Sequence, residues 1–108
     1  TEEYAAAQYL EDWRLKVERI GNLNYPEAAK GRLYGNLLLY VEIKADGSLE
    51  RVEVQRSSGH KILDEAAMRI VRMSAPYGNF SAELKRQTDI VAFARTWVFA
   101  RGDQLRSE

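Results

Sequence analysis

Residues 36–56, "NLLLYVEIKADGSLERVEVQR", set the fold. Two alternating runs flank Asp46-Gly47, a dipeptide that suits a two-residue hairpin turn with both central residues at positive φ. Taking those two residues as the loop sets the register. Ala45 faces Ser48, Lys44 faces Leu49, Ile43 faces Glu50, Glu42 faces Arg51, Val41 faces Val52 and Leu39 faces Val54. Leu39, Val41, Val52 and Val54 then share one face, and the Glu42 to Arg51 pair falls on the other with Tyr40 and Glu53, as cross-strand pairing favours.

Beyond the hairpin, Ile62, Leu63, Ala66, Ala67, Ile70 and Val71 follow the loop "SSGH" at the spacing of a helix that lays one face on a sheet and ends before Pro76. "APYGNFSAELKRQ" then reads as an irregular connection. After it comes "TDIVAFARTWVFARG", residues 88–102, a long strand with Val91, Phe93, Arg95, Trp97 and Phe99 on one face and Ile90, Ala92, Ala94, Thr96 and Val98 on the other. Upstream of the hairpin, Leu10, Trp13, Val17 and Ile20 mark an amphipathic helix, with Trp13 in its apolar stripe and a stop around Gly21-Asn22 through a left-handed glycine cap. Pro26 and Glu27 open a short second helix bounded by Gly31 and Gly35.

The order is helix, short helix, strand, strand, helix, strand. A right-handed crossover puts the last strand beside the first, in the order second, first, third. The expectation is an α+β domain over residues 1–108, a three-stranded antiparallel sheet with helices packed on one face, in which 1–21 form the N-terminal helix and 22–108 the sheet-and-helix core. The last strand lies at an edge, and a long, apolar, proline-free edge calls for a partner or a cover.

Composition excludes several functions. Sixteen basic and sixteen acidic residues cancel, so the broad positive field of a nucleic-acid binder or membrane-surface protein is missing. Without cysteine there is neither disulfide nor thiolate chemistry. The chain begins without methionine inside a helical pattern, so we expect a domain cut from a longer protein.

The ordered combination "LNYPEAAKGRLYGNLLLYVEIKADGSLERVEVQRSSGHKILDEAAMRIVR" and "IVAFARTWVFARGD" resembles the C-terminal domain of TonB, the periplasmic part of the inner-membrane energy transducer of Gram-negative bacteria. With "YLEDWRLKVERIGN" the likeness covers nearly the whole chain. It implies a binding module that takes the TonB box of an outer-membrane transporter as an added strand, contacts the transporter plug, and couples proton-motive force to uptake of nutrients such as siderophore-bound iron. It also implies an inner-membrane anchor that works with ExbB and ExbD and lies outside this chain. The family's Gln-Pro-x-Tyr-Pro segment corresponds to Asn22, Leu23, Asn24, Tyr25 and Pro26; Asn22 stands at the glutamine position, one methylene shorter. "MSAPYGNF" departs from the family's usual aromatic-basic-aromatic-proline ending.

The partner-binding residues expected are therefore Asn22, Asn24, Tyr25 and Pro26, with Ile90, Val91, Ala92, Phe93, Ala94, Arg95, Thr96, Trp97, Val98 and Phe99 along the edge. The alternative is a homodimerisation module or a TolA-like periplasmic adaptor using the same edge, which the chain's own termini would otherwise cover. His60 is the single histidine and has no ligand set around it, so no metal is expected. Ser57 and Ser58 lack a nucleophile-elbow setting and read as helix caps. Asp46-Gly47-Ser48 lacks the later oxygen ligands of a calcium loop, and Gly31 and Gly35 lack phosphate-loop spacing. No acid, base and nucleophile converge, so neither enzymatic activity nor a cofactor is expected.

Overall fold

A computed structural model describes residues 2–108, with side chains from Tyr4 onward. Helix α1, Glu2–Leu23, leads through a 3₁₀ turn at Glu27–Ala29 to the hairpin of β1, Gly35–Lys44, and β2, Leu49–Arg56. Helix α2, Lys61–Ser74, and the short α3, Ala82–Gln87, precede β3, Ile90–Ala100, and β4, Gln104–Ser107. The sheet is antiparallel throughout in the order β2-β1-β3-β4. The expected α+β class and the neighbours β2, β1 and β3 stand, but there are four strands rather than three.

The hairpin keeps the expected register at Leu39 to Val54, Val41 to Val52 and Glu42 to Arg51. Near the turn it shifts, and Ile43 pairs with Leu49 instead of Glu50. The loop has three residues: the Gly47 N–H bonds to Lys44 O at 2.8 Å, and the Lys44 N–H to Ser48 O at 2.9 Å. Only Gly47 is at positive φ, 88°. Tertiary contact explains the difference. Tyr77 N–H donates to Gly47 O at 2.7 Å and Phe80 N–H to Ala45 O at 2.9 Å, so the turn is docked on the loop after α2. A Cβ on Gly47 would sit 1.9 Å from Tyr77 O.

Alternation puts Leu37, Leu39, Val41 and Ile43 of β1 and Val91, Phe93, Trp97 and Phe99 of β3 under the helices. From α2, Leu63, Ala66, Ala67, Ile70 and Val71 join that core, whereas Ile62, expected in the same stripe, is 41% exposed. Trp13 of α1 is buried as expected, with its ring edge-on to Phe93 at 4.7 Å and to Trp97 at 6.2 Å. The opposite face of β3 is open: Ala92 and Ala94 are exposed and Thr96 and Val98 partly so.

Helix α1 runs past its expected stop to Leu23, and Gly21 is not among the residues at positive φ. Glycine is needed there for closeness, since a Cβ would lie 2.2 Å from the Leu105 side chain. The serines before α2 also act differently from N-caps. Both hydroxyls donate to the Asp64 carboxylate, as does the Ser58 N–H at 2.9 Å, so Asp64 ties the loop to the helix.

Candidate partner-binding edge

In an antiparallel strand the N–H and C=O of one residue point to the same side, and the side alternates along the chain. Thr96 exchanges both groups with Glu108, at 3.0 and 2.7 Å. The even-numbered residues of β3 therefore face away from β1, and Val91, Phe93, Arg95, Trp97 and Phe99 face it in an unbroken register. Of the even residues, Val98 pairs with Arg106 and Ala100 with Gln104 of β4. The Ile90 N–H and C=O both meet the Thr88 hydroxyl, at 3.3 and 2.7 Å, and Ala94 O accepts from Arg95 Nη1 at 3.0 Å. The Ala92 N–H and C=O and the Ala94 N–H carry no bond among the described residues.

The free edge is thus the first half of β3, residues 90–95. The expectation that all of β3 forms an edge is corrected at Thr96, Trp97, Val98 and Phe99, where the chain's own C-terminal strand lies alongside. β4 is hard to see in the sequence because it is four residues long and only Leu105 in it is apolar. Its signal was the turn, where Gly102 at φ 88° and Asp103 at φ 57° reverse the chain. Leu105 then drops into the core beside Gly21.

The segment before the first strand lies at the far end of β3 from the free edge. The Asn22 carboxamide imitates a neighbouring strand: Oδ1 accepts from Leu105 N–H at 2.9 Å and Nδ2 donates to Leu105 O at 3.2 Å and to Glu18 O at 2.8 Å. Glu18 Oε2 accepts from the Ser107 N–H at 2.8 Å. Asn24 is exposed, with Nδ2 donating to Ile20 O at 2.8 Å. Tyr25 is buried edge-on to Phe99 at 5.7 Å, and burial, with help from Asp103, pushes its phenol pKa up. Pro26 is buried at the mouth of an open groove of about 640 Å³ against Ile62, Met68 and Arg69 of α2. The structure therefore joins Asn22 and Tyr25 to the covered half of β3, and separates them from the near end of the free half by roughly 13 Å of strand, from Phe99 to Arg95 at about 3.3 Å per residue.

Among the described residues no cluster of acidic and histidine side chains could hold a metal ion, and no helix is long and apolar enough to cross a membrane. What the edge offers is backbone hydrogen bonding. The family model for the Gram-negative bacterial TonB protein C-terminal region matches residues 21–99. The chain belongs to the TonB C-terminal family. No curated protein and no solved structure matches it. Domains of the TonB C-terminal family are periplasmic and transport-associated rather than enzymatic, and in general they interact with outer-membrane transporters. The match ends at Phe99, so β4 lies beyond it, and it includes only the last residues of α1.

Proposed function

We propose that this chain is a single transporter-recognition domain of a TonB-like energy transducer, and that it captures the TonB box of an outer-membrane transporter by strand addition at residues 90–95 of β3. The observation that carries this reading is the pair of exposed alanines, Ala92 and Ala94, of which the Ala92 N–H and C=O and the Ala94 N–H point outward unclaimed, next to a fully paired half-strand. Backbone recognition tolerates many side chains, so one domain can serve several transporters. Extension of the added strand towards Phe99 requires β4 to leave, which frees Asn22 from Leu105 and brings Asn24, Tyr25 and Pro26 next to the partner and its plug. Proton-motive force reaches the domain through an inner-membrane anchor acting with ExbB and ExbD, and the shared sheet passes the pull to the transporter, for example in siderophore-iron uptake.

An NMR titration of the isotope-labelled domain with a synthetic TonB-box peptide, against a scrambled control, tests the reading. Selective amide shifts at Ala92 and Ala94 are expected, and Ala94→Pro should abolish the peptide-induced shift of the Ala92 amide while the fold persists, because the N–H it removes is not one that bonds to β1. Peptide binding that survives Ala94→Pro sinks the proposal. The same edge suits a homodimer or a TolA-like adaptor; a mass that doubles with concentration, together with silence towards the peptide, would put the homodimer first.

A further inference from the structure

The free half of β3 is flanked on its helix side by a groove of about 400 Å³, with Ala6, Ala7 and Leu10 of α1 as its apolar wall and Glu11, Arg14 and Arg95 as its charged rim. The match to the TonB C-terminal family begins at residue 21, so this wall comes from a helix that lies almost wholly outside it. Two guanidinium groups stand in the rim against one carboxylate. Arg14 is already engaged, with bonds to both oxygens of Glu11 and both of Glu18. Arg95 forms no ion pair among the described residues; it lies over the Phe93 ring at 5.6 Å and donates to Ala94 O.

That last bond makes Arg95 a guard. It occupies the one acceptor of Ala94 that an incoming strand must use, and a charged side chain on an edge discourages unselective pairing. A strand whose N–H approaches Ala94 O where the guanidinium now sits competes with Arg95 for that carbonyl and can turn the guanidinium out. The donor then needs another acceptor, and the closest position open to an incoming side chain is the groove, because residues opposite Phe93 and Arg95 share their face of the sheet.

Resting on the strand-addition reading, we propose that Arg95 selects for partner strands carrying an aspartate or glutamate on the groove-facing side: the strand's N–H displaces the guanidinium from Ala94 O, and the strand's carboxylate receives it. Neighbouring groove-facing positions favour small or aliphatic side chains that fit against Ala6, Ala7 and Leu10.

The test uses a family of synthetic Val/Thr peptides of about eight residues, a typical strand length, in which one Glu, Gln or Lys is walked along the sequence. Affinity is read by fluorescence anisotropy and strand addition by the Ala92 and Ala94 amide shifts. At one parity of positions, Glu peptides should bind the wild-type domain roughly three- to tenfold more tightly than Gln peptides, the range for a partly exposed charge-assisted bond. Arg95→Gln should erase that preference, and Arg95→Glu should turn it towards Lys at the same position. If Glu, Gln and Lys peptides bind alike while the amides still shift, strand addition stands and selection by Arg95 falls. If no peptide shifts those amides, both fall.

Discussion

Asp64 shows how one side chain can hold an element in place. Burial alone would raise its pKa, but the Ser57 hydroxyl and the Ser58 N–H and hydroxyl outweigh it and hold the carboxyl below its ordinary value of 3.8. A depressed folded pKa means that Asp64 stabilises the fold above the unfolded value, and that this contribution drains away as pH falls through the folded one. Asp64→Asn keeps the shape but weakens the acceptors, so we expect a loss of about 1–2 kcal/mol at neutral pH. Urea melts of the two proteins should converge as pH falls from neutrality through the depressed folded pKa of Asp64; a gap that does not narrow at all on acidification would rule out the ionised carboxylate as the cause. The motif "SSGHKILD" carried these residues in view, and its serines read as caps because hydroxyls before a helix most often bond to its N–H groups. The partner one turn inside the helix was visible only once His60 had taken the N-cap position without a side-chain bond.

Strand β4 is the element that most alters the functional surface. Four residues cannot hold themselves in place, and here three anchors do so: Leu105 in the core, Asn22 on the Leu105 backbone and Glu18 on the Ser107 N–H. Arg106→Pro keeps Leu105 as the anchor but removes the N–H that faces Val98, so the ladder beyond Leu105 should open. The unpaired edge would then grow from 90–95 towards Val98. Sedimentation at rising concentration is expected to reveal self-association in this variant at concentrations where the wild type stays monomeric, as exposed edges promote. A variant as monomeric as the wild type would mean that β4 does not protect the edge. The hairpin is the opposite case. Leu39, Val41, Val52 and Val54 alternate cleanly enough to set their own register; the expected pairs of Ile43, Lys44 and Ala45 slipped, where the loop after α2 pulls on Ala45 and Gly47, and a second shift lies between Leu38 and Leu39.

Across the molecule, α1 and α2 share one face of the sheet and divide it between them. Helix α2 touches β1 and β2, whereas α1 reaches α2, α3 and β4. Trp13 links the layers by packing on Phe93 and Trp97, and Tyr9 joins the same helix to Gly78 O at 2.8 Å and to the Phe80 ring at 4.9 Å. Trp13→Ala should cost about 3–5 kcal/mol. If α1 is integral to the core, the thermal transition should stay single and move down. Two transitions, with the sheet melting at its original temperature, would make α1 an appendage. The position of α1 was legible in the Leu10, Trp13, Val17 pattern; that it also walls a groove beside the free edge was not.

Local periodicity was enough to establish the central hairpin, the apolar faces of α1, α2 and β3 and the antiparallel order of the first three strands, and the ordered motifs were enough to establish membership of the TonB C-terminal family. Each of these rests on apolar spacing or turn chemistry repeated over many residues. Which half of β3 is open is settled only in the folded molecule, because it depends on a polar strand held by Asn22 and Glu18, more than eighty positions away in the chain. Folding likewise settles that Gly21 is small to admit Leu105, and that the Arg95 guanidinium bonds to Ala94 O. Contacts between residues distant in sequence leave no period to read, and they exist only after the layers have met.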